Sequence, residues 1–165
     1  MATLEAITQK LLGIGKSVPA EELFPTLIPE AAGLVTSDPY AFTIAVCLDR
    51  GTKAEIIWTI PYDIYQELGH LDPQIIYQMS LEDLKNLFSR LPRRPRYVND
   101  APKTIQQLTQ IVVEECDGDT ANIWKGKRAA QVNRAFTSIY GVGLGIANMG
   151  AVSYTHLRAH ETKAN

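Results

Sequence analysis

The residues best suited to grip a ligand are the glycines of Phe136-Thr-Ser-Ile-Tyr-Gly-Val-Gly-Leu-Gly-Ile-Ala-Asn148. A helix is predicted to end near Tyr140, Gly141-Val142-Gly143 to turn the chain, and a second helix to begin around Leu144. Two glycines flanking one apolar residue allow a tight hairpin with positive φ angles. Val142 then faces inward and pins the hairpin to the core. The amides of Gly143 and Gly145 stand at the second helix's N-terminus, where unsatisfied N–H groups and the helix dipole favour an anion. A DNA phosphate suits that geometry, in a contact that positions a duplex without reading its sequence. A purely structural turn fits the same string. A dinucleotide loop requires a strand in front, and the preceding segment reads as helix.

Other residues carry weaker chemistry. Arg90-Leu-Pro-Arg-Arg-Pro-Arg96 is the densest basic run, four Arg in seven residues. Its prolines favour an exposed loop, and phosphate binding and a solvated surface are equal readings. Lys125, Lys127, Arg128 and Arg134 precede the hairpin and could extend a phosphate-facing patch, or simply form polar faces. His156 and His160 have the i, i+4 spacing of a zinc pair. Asp49 is expected to cap or to pair with a neighbouring Arg, His70 to cap a helix end, and Trp58 and Trp124 to pack in the core. Tyr62, Tyr65 and Tyr77 are expected to pack with a polar tip.

Those residues need helices to carry them, and the pattern is helical almost throughout. Leu4, Ile7, Leu11 and Leu12 mark a helix over 3–15, followed by a Pro- and Gly-rich connector to Gly33. Asp38-Pro39 gives an N-cap with Pro at the first helical position, opening a helix apolar on nearly every side and so buried. Thr52 and Glu55 have capping-box spacing, for a helix reaching about Leu68 that Pro61 must kink or split. Asp72-Pro73 starts a short helix. Ser80 and Asp83 form a second box, with Met79 and Leu84 as its staple. Ile105, Leu108, Ile111, Val112 and Cys116 mark a longer helix stopped near Asp117-Gly118, and Val132, Ala135, Phe136 and Ile139 mark another. No strand-like alternation of useful length occurs. The fold class is all-α.

The 165 residues suit one domain, at 45% hydrophobic and 21% charged. No run approaches a membrane span, and the N-terminus lacks a secretory pattern. Cys47 and Cys116 have no metal-ligand spacing and suit buried thiols in a reduced, cytoplasmic setting. The net charge of −2 argues against a polybasic binder but permits a local patch.

Ile139–Asn148 resembles the helix-hairpin-helix of endonuclease III-like glycosylases, whose pattern is Leu-Pro-Gly-Val-Gly-x-Lys-x-Ala. Phe42-Thr-Ile-Ala-Val-Cys-Leu-Asp-Arg-Gly-Thr-Lys53 resembles their central helix and the loop that enters DNA. The longer phrase from Asp49 to Tyr62, with Asn122-Ile-Trp124, is similar to a branch with an iron–sulfur cluster loop. The resemblance, to the helix-hairpin-helix-GPD superfamily, covers roughly Leu34 to Ala151. It implies a helical barrel over 34–151, with 1–33 belonging to an incomplete second lobe. It also implies removal of a damaged base after flipping it from the duplex. The DNA contacts it implies are Gly141, Val142, Gly143, Gly145, Ile146, Arg50, Gly51, Thr52 and Lys53. The expected partner is duplex DNA, with no membrane, and a monomer.

The chain departs from that pattern in three places. Gly145 stands where the family's lyase Lys would be, which disfavours Schiff-base chemistry. Gly51 stands where a wedge Gln would fill the gap left by a flipped base. The family's catalytic Asp lies downstream of the hairpin, where this chain has no Asp after Asp119 and Glu161 as the one carboxylate. The segment 152–165 looks like translated sequencing-adapter read-through. The chain is therefore expected to be a truncated piece that binds duplex DNA weakly and does not catalyse. No catalytic residue, metal or cofactor is assigned within it, and the cluster is expected in a full-length parent. The rival expectations are a non-catalytic DNA-binding relative and a helical scaffold with no nucleic-acid role.

Overall fold

Helix α1 (Pro29–Ser37) and helix α2 (Pro39–Leu48) meet at Asp38, whose carboxylate accepts from Tyr40 N at 2.8 Å while Pro39 occupies the first turn. Proline there loses no helical bond, because the first amides of a helix have no intrahelical acceptor. The two helices meet at 108°, and no single helix among the described residues is long and apolar enough to cross a membrane. A computed structural model describes residues 24–161, with side chains as far as Tyr154. The expected helix over 3–15, the His156/His160 pair and the Glu161 side chain lie outside that description.

Helix α2 is the axle of the fold. Every residue from Tyr40 to Leu48 is buried, as an all-round apolar helix must be. It packs against α1, against α4 (Ile60–Leu68), α7 (Ala101–Glu115) and α9 (Leu144–Glu161), and against a 3-10 turn at Thr120–Ile123. Its polar groups are satisfied internally: Thr43 Oγ1 donates to Pro39 O at 2.7 Å, and Tyr40 Oη shares a hydrogen bond with Thr109 Oγ1 at 2.7 Å. Phe42 lies among the rings of Phe24, Trp58, Trp124 and Tyr154, and Trp124 stacks on Tyr154 with centroids 3.9 Å apart. Both tryptophans are thus core residues.

The remaining elements are short. Pro61 splits the expected long helix into α3 (Ala54–Ile57) and α4, taking the first turn of the second. The expected capping box at Thr52 does not form. Lys53 is the N-cap of α3 and makes no side-chain cap bond, and the Thr52 hydroxyl accepts from Arg96 N at 2.7 Å. A long-range partner has displaced the local one. The second box does form around α6 (Leu81–Arg90): Ser80 Oγ accepts from Asp83 N, and Asp83 accepts from Ser80 N, each at 3.0 Å. Asp72 caps α5 (Pro73–Tyr77), and Asp117 and Gly118 leave α7 with φ of 55° and 77°. His70 Nδ1 accepts from Asp72 N. Tyr65 and Tyr77 are exposed and Tyr62 is half-buried, so none of the three is a core residue.

Helix α8 (Ala129–Thr137) pairs with α9. The described residues are all-helical, with no strand. The expected divisions at 33/34 and 151/152 fall inside α1 and α9 respectively. Tyr154, in the segment set apart as a tail, is buried.

Candidate nucleic-acid interface

Helix α8 ends at Thr137, a turn short of the expected end near Tyr140. Ile139 and Val142 are buried and anchor the turn, and Val142 N donates to Ile139 O at 3.0 Å. Gly141 has φ of 78°, a left-handed conformation that costs a side-chain-bearing residue roughly 1–2 kcal/mol. Gly143 is not left-handed, which corrects the expectation of two positive-φ glycines. Ala147 N donates to Gly143 O at 3.0 Å, closing the first turn of α9. The amides of Gly143, Leu144, Gly145 and Ile146 meet no acceptor among the described residues, and the first three residues are exposed. Those are the orphan donors of a helix start.

The loop after α2 comes to the same place. Arg50 reaches under the turn: a Cβ built on Gly141 would lie 2.5 Å from Arg50 Cζ. Arg50 Nη2 donates to Thr104 Oγ1 at 3.3 Å, and Thr104 donates to Tyr140 O at 2.8 Å. Gln107 Oε1 accepts from Tyr140 N at 2.6 Å, so both backbone groups of Tyr140 are held by the first turns of α7. The Tyr97 ring lies 5.3 Å from the Arg50 guanidinium and 5.7 Å from that of Arg96, and Lys103 Nζ stands 4.3 Å from the Tyr140 ring centroid. Gly51 has φ of 69°, with Arg96 Nη1 3.3 Å from where its Cβ would be. Lys53 is exposed at the rim.

Charge is distributed unevenly. Lys85, Arg90, Arg93 and Lys125 pair with Glu82, Glu67, Asp63 and Asp119. Among the described residues Arg50, Lys53, Arg96 and Lys103 have no carboxylate within ion-pair distance, and neither do Arg94, Lys127, Arg128 and Arg134 elsewhere. Unneutralised cations interleaved with exposed Tyr97 and Tyr140, beside open amides, form a surface suited to a polyanion with flat rings.

Several expected basic residues do not join it. Arg93 makes a two-pronged contact with buried Asp63, and Arg90 pairs with Glu67, so half of the arginine run is neutralised. Leu91 and Pro95 are buried, tying the run to the core. Arg128 is the N-cap of α8, whose opposite end leads to the turn, roughly 13 Å away at 1.5 Å per residue. Lys127 and Arg134 line a cavity of about 400 Å³ with Glu115 and Cys116. Asp49 is the C-cap of α2 and pairs with no Arg among the described residues; burial raises its carboxyl above the ordinary value. Gly145 has open space where a Cβ would be.

Tyr97, Lys103, Thr104, Gln107 and Tyr140 were not foreseen as part of this surface. Lys103 and Gln107 sit one helical turn apart, which the spacing discloses, but nothing local says what that face meets. No protein-family model matches this chain, and no curated protein matches it at a significant level. No group of three or more His, Cys, Asp or Glu that could hold a metal is found among the described residues.

Proposed function

We propose that the 139–146 turn and the 50–53 loop form one surface that grips the phosphodiester backbone of duplex DNA, in a protein of the base-excision glycosylase type. The observation that carries this reading is that carboxylate-free Arg50 packs against the turn that opens α9 and its open amides, with Lys103 on the Tyr140 ring and Arg96 on the Tyr97 ring beside it. A net charge of −2 does not oppose it, because a local patch of unpaired cations sets the field that a phosphate meets at close range. Flipping a base costs a few kcal/mol in unstacking, and backbone contacts of this kind offset that cost. No residue of this chain is assigned to bond cleavage. An iron–sulfur cluster takes four cysteine thiolates, and Cys47 and Cys116, both buried, do not fit one.

The test is titration of a labelled duplex across salt concentrations. Four phosphate contacts give a slope of log affinity against log salt of roughly −3 to −4. Gly143→Val should keep the fold, since that backbone is not left-handed and no atom lies within 4 Å of its Cβ. It should nevertheless weaken binding by roughly tenfold by covering the amides. Unchanged affinity in that variant would remove the turn from the interface.

A second reading, a DNA binder without base flipping, is favoured by Gly51. Its positive φ and the nearby Arg96 oppose a wedge side chain at that position. Equal affinity for an intact duplex and one with an abasic site supports the binder; tighter binding to the abasic duplex supports flipping.

A further inference from the structure

Arg50 is held in a manner that its charge alone does not explain. Its Nε is buried with no acceptor, and among the described residues its one side-chain hydrogen bond is the long contact to Thr104 and no carboxylate pairs with it. A guanidinium carries five N–H donors, and leaving a buried donor unmet is costly. What keeps it in place is shape. The Tyr97 ring lies on one side, and the guanidinium fills the space that a side chain at Gly141 would occupy.

The structure assigns Arg50 a positioning role: it braces the left-handed turn at Gly141 that carries the open amides of α9, and its unneutralised charge strengthens their hold on a phosphate. The second half of that statement rests on the DNA-binding reading; the first half does not. Gly141 is then glycine for an internal reason, to admit Arg50, rather than to admit DNA. Arg50 also couples the loop after α2 to the turn, so the two segments bind as one body. Thr104 serves both, accepting from Arg50 and donating to Tyr140 O.

The brace is tested without any ligand. Gly141→Ala should lower stability markedly in the natural chain and much less in an Arg50→Ala background, because the guanidinium it displaces is gone. Additive losses would overturn the brace. In Arg50→Lys, the Val142 and Ala147 amides should exchange with solvent several-fold faster; unchanged exchange would also overturn it. The charge is tested by Arg50→Gln with a labelled duplex. Affinity should fall roughly tenfold and the salt slope should become shallower by about one. A parallel slope would mean that the charge is not felt by DNA and would overturn that half. If the brace measurements hold and the natural chain binds no duplex, the DNA reading fails while the brace stands.

Discussion

Gly141 and Gly145 look alike in the sequence and are held by different forces. At Gly141 the backbone is left-handed and a guanidinium fills the place of the missing side chain. At Gly145 the backbone lies within a helix with open space around it. Gly141→Ala is therefore expected to cost at least about 1–2 kcal/mol from the backbone alone. Gly145→Ala is expected to gain about 0.5–1 kcal/mol, because alanine loses less entropy in a helix. Denaturant unfolding of the two variants checks both signs. That a glycine turn stood here was legible, since Gly-Val-Gly between two apolar helical patterns has few other uses. Which glycine carried the constraint was not, because Arg50 is distant in sequence and no local rule brings it near. Gly150 shows the same limit: a Cβ there would lie 3.0 Å from Val46 Cγ1, a close approach of α9 to α2 that only packing reveals.

Among the elements, α6 and the segment after it offer two contrasting contributions to stability. The Ser80–Asp83 box is exposed and local. Hydrogen bonds from Ser80 Oγ and N lower the Asp83 carboxyl from its ordinary 3.8. Its contribution is thus complete above about that pH and is lost as pH falls through the lowered folded value. Asp83→Asn should remove this part of the acid dependence, seen as a flatter midpoint-versus-pH curve below pH 4. The Asp63–Arg93 pair is long-range and different in kind. Asp63 is 3% exposed, and Arg93 meets both of its carboxylate oxygens. Arg93→Ala would leave that buried carboxylate alone and is expected to cost about 3 kcal/mol. A loss below 0.5 kcal/mol would show the pair to be dispensable. The box was readable from four consecutive residues. The fate of Arg93 was not, since an arginine in a basic run looks the same whether it faces solvent or a buried acid.

At the scale of the molecule, helices from both ends of the described chain close on α2. Phe24 from one side and Tyr154 from the other reach the ring cluster around Phe42. Tyr154→Ala should therefore cost about 2–4 kcal/mol by emptying a packed site, measured by unfolding with Trp fluorescence, because Trp124 stacks on that ring. The two cysteines report on the same packing. Cys47 is wholly enclosed in α2, and burial pushes its thiol far up; Cys116 borders the cavity at the end of α7, and its thiol is also raised by burial. A thiol reagent should label Cys116 first and Cys47 only on unfolding; equal rates would contradict the assignment of the core.

The all-helical class, the proline and aspartate helix starts and the burial of the α2 helix were settled by the residues themselves. Caps, periodicity and ring constraints act within a few positions of the chain. The union of Arg50 with the glycine turn was decided only by the tertiary structure, as was the removal of Arg90 and Arg93 from the free cations. The capture of Thr52 by Arg96 belongs with them. Each depends on which side chains the packing of distant helices brings within a few ångströms, and many packings satisfy the same local preferences.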